Sequence, residues 1–134
     1  MPVVVNLAVA DCQRRFAAAR VARLATIGPH VVPVVFAVTE STVVIAIDHK
    51  PKARREVRRL TNIRANPAVS LLVDHYDDDW STLWWVRADG DAVVVPMADD
   101  AVDLLVAKYP QYQEIRPAGP VILVRVHTWR GWAA

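Results

Sequence analysis

Residues 43–66 read VVIAIDHKPKARREVRRLTNIRAN, and this stretch decides how the rest of the chain is interpreted. Its apolar start, Val43 to Ile47, predicts a strand, and the arginine-rich remainder predicts a helix that ends before Pro67. Residues 50–64 hold seven Lys or Arg and one Glu, a net charge of +6, although the whole chain carries only +2. The remaining residues therefore carry −4. Because the positive charge is concentrated at one strand-to-helix junction, we expect an anionic ligand there.

Three interpretations of this basic junction are open. The cations could form a solvated helix face, since charged helix surfaces are common. They could instead bind a phosphate or another polyanion, for which Arg offers bidentate forks and Lys a point charge. The third candidate is nucleic acid, because a pI near 9.0 and a basic helix are typical of its partners. Against it, the sequence holds no nucleic-acid-binding motif and the acidic turn 77–79 would repel a phosphate backbone, so we expect no nucleic-acid partner.

Composition predicts one domain spanning residues 1–134. The hydrophobic fraction of 54% and the five tryptophans exceed what one core of this size requires, which suggests a further buried surface such as an oligomer interface. Cys12 is the only cysteine, so no internal disulfide can form, and a small buried hydrophobe is expected there. Apolar runs are too short to cross a membrane, and the N-terminus lacks the basic segment of a signal peptide. We expect a cytoplasmic protein without a membrane partner.

Six short apolar segments predict a mainly β protein, a small barrel with peripheral helices. The predicted strands cover residues 21–27, 30–38, 42–47, 68–76, 80–96 and 121–128, with a bend at 89–91 in the fifth. Helices are predicted at 8–20, in the basic segment up to Asn66, and at 97–108, where Asp99 and Asp100 suit the N-terminal end and Lys108 the C-terminal end. Residues 109–120 are expected to form a loop or a short helical turn.

The second predicted strand, HVVPVVFAV at residues 30–38, is apolar throughout, which is typical of a strand buried on both faces. Pro33 has no N–H to donate to a ladder, so the strand requires an edge, a bulge or a gap at that position. A gap would leave backbone groups free to contact a ligand. A bulge in a barrel strand is the alternative.

Side-chain chemistry outside the basic junction points to no catalytic motif. Trp84 and Trp85 are adjacent, so they point to opposite faces of a strand, and one of them could face a partner or ligand. The turn 74–79 (DHYDDD) lacks the central Gly and closing Glu of a calcium loop, so we expect no metal site. The chain has no nucleophile elbow, CxxC pair, phosphate-binding glycine loop or dinucleotide fingerprint. If the protein is an enzyme, a cofactor must supply the chemistry.

Seven segments together resemble the pyridoxamine 5'-phosphate oxidase-like split-barrel flavoproteins over nearly the whole chain. They are RVARLATI (20–27), HVVPVVF (30–36), DHKPK (48–52), RLTNI (59–63) with NP (66–67), VSLLVDHY (69–76), WWVRADG (84–90) and KYPQY (108–112). Within that superfamily the chain is similar to an actinobacterial branch of coenzyme F-420 (deazaflavin)-dependent oxidoreductases. The resemblance implies a six-stranded split β-barrel of the FMN-binding type. One departure is the first hairpin, where Gly28-Pro29 alone replaces a longer turn.

The resemblance also implies a homodimer with two cofactor sites at the subunit interface. The strand from His30 to Val34 would lie along the cofactor ring, the DHKPK segment would meet its phosphate and ribityl chain, and Arg59 would bind the phosphate. Trp85 would come from the neighbouring subunit, and Trp129 would reach the cofactor from the C-terminal strand. The residues expected to bind the cofactor are His30, Val31, Val32, Pro33, Val34, Ile47, Asp48, His49, Lys50, Lys52, Arg59, Trp85 and Trp129.

The charge of the basic junction favours coenzyme F-420 over FMN, because the deazaflavin carries a phosphodiester, a lactyl carboxylate and an oligoglutamate tail. We therefore expect a dimeric oxidoreductase that transfers a hydride from reduced deazaflavin to an unsaturated small-molecule acceptor. The alternatives are an FMN-binding oxidase of the same superfamily and a non-catalytic carrier of a flavin or tetrapyrrole. No catalytic residue is assigned. His30 and Tyr76 are candidate proton donors only.

Overall fold

Antiparallel strands form most of the chain in the computed structural model, which describes residues 5–47 and 57–134. The strands are β1 (Val5–Asn6), β2 (Ala22–Thr26), β3 (His30–Val34), β4 (Ala37–Thr39), β5 (Thr42–Ala46), β6 (Ala68–His75), β7 (Trp84–Val95) and β8 (Val121–Ala133). The helices are α1 (Val9–Ala18), α2 (Arg58–Ala65), α3 (Asp99–Lys108) and α4 (Pro110–Glu114), with a 3-10 turn at Trp80–Thr82. Within these described ranges, no helix combines the length and the apolar character needed to cross a membrane.

One curled antiparallel sheet contains all of these strands, in the order β3-β2-β6-β7-β8-β5-β4, with β1 added beside β8. All six predicted strand segments are found. The described residues form eight strands because the segment 30–38 is divided and because the short β1 joins the sheet. The predicted fold class, mainly β with peripheral helices in a split barrel, is confirmed.

The two longest strands, β7 and β8, bend together at a β-bulge. Asp89 pairs with Thr128 and Gly90 pairs with Val126, so His127 is the extra residue on β8. A β-carbon on Gly90 would lie only 2.2 Å from the backbone oxygen of Arg125, so the two backbones approach closely here. The bend predicted at residues 89–91 is therefore confirmed, and it curls the sheet into a half-barrel.

Buried and more exposed side chains alternate along the strands, so one side of the sheet faces the core and the other side does not. In β6, Val69, Leu71 and Val73 are buried, whereas the residues between them point to the opposite side of the sheet. Helix α1 closes the inner side with Cys12 and Phe16, both fully buried, so Cys12 packs as a small hydrophobe as expected. Each such apolar side chain contributes roughly 1.5–3 kcal/mol of burial free energy. We call the other side of the sheet the outer face.

A continuous strand over residues 30–38 was predicted, and that prediction is wrong. The run is divided at Val35 and Phe36, because the Tyr109 hydroxyl takes the place of a strand partner. The Phe36 N–H donates to this hydroxyl over 3.1 Å, and the Phe36 and Arg20 carbonyl oxygens lie 3.0 and 2.9 Å from it as acceptors. The buried backbone of Phe36 is thus satisfied by a residue distant in sequence. The division leaves β3 at one end of the sheet order, which places Pro33 on an edge strand.

Two other element boundaries differ from the sequence prediction. Trp80 lies in a 3-10 turn rather than in the fifth strand, because the Asp79 carboxylate accepts from the Ser81 N–H at 3.1 Å and caps that turn. The C-terminal strand continues to Ala133 instead of ending at Thr128, since β7 and the short β1 both pair with its last residues. The first part of the predicted basic helix lies outside the described residues.

Candidate functional site

The edge strand β3 and the first turn of α2 meet at a cavity of about 210 Å³, which we call the first cavity. Three residues predicted to bind the cofactor line it: Pro33, Val34 and Arg59. The other lining residues are Val21, Val35, Ile45, Ala46 and Tyr112. The cavity is therefore mainly apolar, with one guanidinium in its wall and an edge-strand backbone beside it. This combination suits a ligand that is part apolar and part anionic.

Arg59 is the feature of the first cavity that most clearly points to a ligand. Leu60 and Ile63 are buried and fix α2 against the core, and Arg59 lines the cavity while the preceding Arg58 is exposed. The Nε atom of Arg59 is buried and has no hydrogen-bond partner within the described ranges. Leaving a buried donor of a charged group unpaired is costly, so an anion in the cavity would relieve that cost.

His30 carries a second buried polar atom without a partner among the described residues, its Nδ1. The residue lies at the start of β3, opposite Thr26 on β2. A ligand along β3 could hydrogen-bond to this ring nitrogen. His30 thus remains a candidate contact and proton donor.

The five predicted residues of β3 do not share one surface. Val32 and Val34 pack against the core, whereas Val31 is 59% exposed on the outer face. There, Val31 lines a groove of about 560 Å³ together with the predicted Trp85. Along with these two, the lining residues are Arg23, Ala25, Ser70, Leu72, Asp74, Tyr76 and Arg87. Within one subunit, Trp85 therefore faces this outer groove and is not among the residues that line the first cavity.

The two arginines and the aspartate that line the outer groove, Arg23, Arg87 and Asp74, were not predicted as site residues. For Arg87 the sequence signal is strand alternation, since Trp85, Arg87 and Asp89 occupy every second position of β7 and so lie on one side of the sheet. Partial burial raises the pKa of the Asp89 carboxyl, but hydrogen bonds from Ser70 and Arg87, at 2.6 and 2.9 Å, outweigh it and leave the pKa below its usual value. Asp89 therefore remains a carboxylate and offsets the charge of Arg87.

The remaining predicted residues fall into two groups. Ile47 is buried in the core and donates its N–H to the Pro120 carbonyl at 3.1 Å, while Trp129 packs edge-on against Phe16 at 5.3 Å between ring centres. Trp129 also has a buried Nε1 without a partner in the described chain. Asp48, His49, Lys50 and Lys52 lie outside the described residues, so their phosphate contacts stay a prediction.

A second cavity, of about 390 Å³, adjoins the first and was not foreseen from the sequence. It is lined by Arg20, Val21, Val35, Tyr109, Gln111 and Tyr112. The loop between α1 and β2 supplies Arg20 and Val21, and Tyr109 together with helix α4 supplies three more of these residues. Long-range contacts bring these segments together, so a sequence pattern has no local signal for the second cavity.

Lys108 connects helix α3 to the end of helix α1 through hydrogen bonds. Its ammonium donates to the carbonyl oxygens of Ala17 and Ala19 at 3.2 and 2.7 Å and lies 3.9 Å from the centre of the Phe36 ring. Burial, and to a lesser extent the nearby charge of Arg20, lowers the pKa of Lys108 to about 8. The lysine therefore joins the C-terminal end of α3 to the end of α1 and helps to hold the second cavity open.

The acidic turn is ordered by its own hydrogen bonds. The Asp77 carboxylate accepts from the Asp79 N–H at 2.8 Å and lies 3.1 Å from the His75 ring, and Asp79 accepts from Ser81. Across residues 5–47 and 57–134, no group of three His, Cys, Asp or Glu side chains is placed to hold a metal ion.

Comparison with known proteins identifies relatives over most of the chain. The family model described as "Pyridoxamine 5'-phosphate oxidase" matches residues 9–133. A search of curated proteins finds no match. Among solved structures, a FAD-binding protein from Mesorhizobium loti superimposes with a TM-score of 0.75 at 22% identity, covering 98% of this chain and 99% of that one.

Two mycobacterial structures are similar to the same extent. A conserved hypothetical protein from Mycobacterium tuberculosis has a TM-score of 0.75 at 21% identity, over 95% of this chain and 85% of that one. The FAD binding protein from Mycobacterium smegmatis has a TM-score of 0.71 at 18% identity, over 97% of this chain and 100% of that one. At these identities the structural relatives share the fold.

Proposed function

This chain belongs to the pyridoxamine 5'-phosphate oxidase family, and we propose that it binds a flavin-type cofactor with the phosphate in the first cavity. The observation that carries the proposal is that the Nε of Arg59, beside the edge strand β3, is buried and has no partner among residues 5–47 and 57–134. An isoalloxazine-type ring offers an apolar face to Pro33 and Val34 of β3, and its phosphate offers charge-assisted acceptors to Arg59. The structural relatives from M. loti and M. smegmatis are named as FAD-binding proteins, which supports the class of ligand.

Within that class we propose coenzyme F-420 as the cofactor and an oxidoreductase as the activity. The +6 charge of residues 50–64 supports this choice, because the deazaflavin carries more negative groups than FMN. When bound in its reduced form, the cofactor supplies a hydride to an unsaturated small-molecule acceptor. The chain's own residues would bind the phosphate through Arg59, hold the ring along β3, and supply a proton from His30 or water. Tyr76 lines the outer groove, so as a proton donor it would act on the cofactor of a partner subunit.

Two alternatives remain, and different observations favour them. FAD or FMN in place of the deazaflavin is favoured by the names of the two FAD-binding relatives. A non-catalytic carrier of a flavin or tetrapyrrole is compatible with the site because no described side chain lining the first cavity is an evident acid or base at neutral pH.

Titration of the cofactor fluorescence tests the choice of cofactor. The purified chain is expected to bind coenzyme F-420 with micromolar or lower Kd, and the binding is expected to weaken as salt screens the cationic residues. Stopped-flow mixing of the reduced complex with enones, quinones and tetrapyrroles then separates an enzyme from a carrier. Tight binding of FMN or FAD without binding of F-420 would favour a flavin oxidase. If no member of the panel oxidised the reduced cofactor, the carrier would be favoured.

We also propose that the chain forms a homodimer through its outer face, so that Trp85 contributes to the site of the partner subunit. Trp85 and Trp132 are cross-strand neighbours on this face, and Arg87 and Arg130 are the next cross-strand pair. Tryptophan, tyrosine and arginine are the residues most enriched in protein interfaces. With Tyr76 59% exposed at the edge of the groove, this surface has the composition of an interface.

Sedimentation velocity measures whether this dimer forms. Trp85→Ala is expected to raise the dimer dissociation constant by about tenfold or more, because a large aromatic anchor is lost. Trp80→Ala is the matched control, since Trp80 is 66% exposed in the 3-10 turn and does not line the groove. A monomeric wild-type chain, or equal effects of the two substitutions, would contradict the proposal.

A further inference from the structure

The first and second cavities adjoin, and we call the two together the trough. Their lining residues overlap at Val21, Val35 and Tyr112. Since three residues border both volumes, the two cavities adjoin, and a ligand long enough to pass these residues would reach both. The shared floor is apolar, and Val21 is 43% exposed along it.

Each of the two cavities is lined by one arginine. Arg59 lines the first cavity and Arg20 lines the second, and no Asp or Glu stands among the described residues that line either one. A ligand that spans both cavities therefore meets a guanidinium in each. This arrangement fits a ligand with two separated anionic groups.

Arg20 is already held in place for such a role. Its Nη2 donates to the Lys108 carbonyl at 2.9 Å, and its guanidinium carbon lies 4.7 Å from the centre of the Tyr109 ring. A guanidinium has five N–H donors, and the Lys108 carbonyl uses one of them. Because the side chain is stacked and hydrogen-bonded before any ligand arrives, an anion binding there would lose little of its affinity to side-chain ordering.

We propose that the second cavity is a subsite for the part of the cofactor that lies beyond its first phosphate, with Arg20 binding a second anionic group. The proposal rests on the proposed function, since it takes the first phosphate to lie beside Arg59. The shared chemistry is an extended anionic substituent, which is the glutamate tail in a deazaflavin and the second phosphate in a dinucleotide. Gln111 adds an amide at the rim, and the apolar floor at Val21 and Val35 would contact the linking carbons.

Matched ligand pairs test this subsite by affinity. Fluorescence titration would compare the tailed deazaflavin with its form truncated at the phosphate, and FAD with FMN. In the wild-type chain the longer member of the cofactor's own pair is expected to bind more tightly. Arg20→Gln is expected to weaken the longer member by about tenfold and the shorter member by less than twofold, because only the longer one reaches Arg20.

Two further variants separate a binding role from a structural one. Gln111→Glu adds a carboxylate to the cavity that Arg20 lines, where it would repel a second anionic group or pair with the guanidinium in its place, so it should weaken only the longer ligands. Arg14→Gln removes the same charge from an exposed residue of α1 outside the trough and should change neither member of a pair.

Three outcomes would overturn the subsite. Equal losses for long and short ligands in Arg20→Gln would show that Arg20 acts through the structure, and unchanged affinities in both trough variants would show that nothing binds there. If the wild-type chain did not bind even the short ligands, the proposed function would be contradicted, and the subsite proposal would fail with it. The pairs therefore distinguish which of the two proposals has failed.

Discussion

Replacing Arg59 with alanine is expected to weaken binding of the flavin-type cofactor by about 1–3 kcal/mol, or roughly fivefold to 150-fold in Kd. Arg59 lines the first cavity with a buried Nε that has no partner among the described residues, so a bound phosphate gains a charge-assisted donor that water does not replace. The loss should persist at high salt, because a half-buried guanidinium is screened less than a solvated one. Fluorescence titration at two salt concentrations measures it.

The neighbouring arginine provides the control for this experiment. Arg58 precedes Arg59 on α2 and is exposed, so Arg58→Ala removes the same charge without removing a group from the cavity. Arg58→Ala is expected to cause only a small loss of cofactor affinity, and this loss should disappear at high salt. Lys52→Ala, from the sequence prediction, should resemble Arg59→Ala if that lysine also contacts the phosphate. If Arg59→Ala bound the cofactor like the wild-type chain, the basic junction would be a solvated helix face.

Substituting Gly90 with alanine is expected to destabilise the fold by about 3 kcal/mol or more, or to prevent folding. The added β-carbon would lie 2.2 Å from the backbone oxygen of Arg125 and 2.9 Å from its carbonyl carbon, and backbone atoms cannot turn aside as a flexible side chain can. Relief would require β7 and β8 to separate at the bulge, which would disturb the longest ladder of the sheet. Denaturant unfolding followed by tryptophan fluorescence measures the change in free energy.

Gly119 is the matched control for Gly90. Among the residues that the structure describes, a β-carbon there would meet only the Ile47 oxygen, at 3.5 Å, which is an ordinary van der Waals distance. Gly119→Ala should therefore change the free energy of unfolding by less than about 1 kcal/mol. Similar unfolding midpoints for Gly90→Ala and the wild-type chain would mean that the two strands are not packed as closely as described.

The limits of sequence reasoning are clearest in the segment from His30 to Val38. Its valines predicted one strand, of which the structure forms two, and Pro33 predicted an edge, a bulge or a gap, of which the edge is found. The division at Phe36 could not be predicted, because the hydroxyl that satisfies its backbone belongs to Tyr109, 73 residues away. Local propensity describes what a segment prefers, whereas the partner of a backbone group depends on the whole fold.

In the candidate site, too, some residues were predictable from the sequence and others were not. Arg59 was predicted from a charge cluster and a family resemblance, and it lines the first cavity. Trp85 was predicted to reach this site from the neighbouring subunit, which stays a prediction. Within one subunit it faces the outer groove, as adjacent strand residues must when Trp84 points inward. Arg20 was missed as a site residue, since nothing in its neighbourhood in sequence indicates that Tyr109 and Gln111 will lie beside it.

By itself, the sequence determined the strand segments, the bend at Gly90 and the concentration of positive charge before α2, because hydrophobic periodicity, turn residues and charge are local properties of a chain. Only the tertiary structure decided that the chain would leave β3 at an edge, bury the Nε of Arg59, and join the first cavity to the second past Val21 and Val35. These features arise from contacts between residues far apart in the sequence, and such contacts exist only once the sheet has curled and the helices have packed against it.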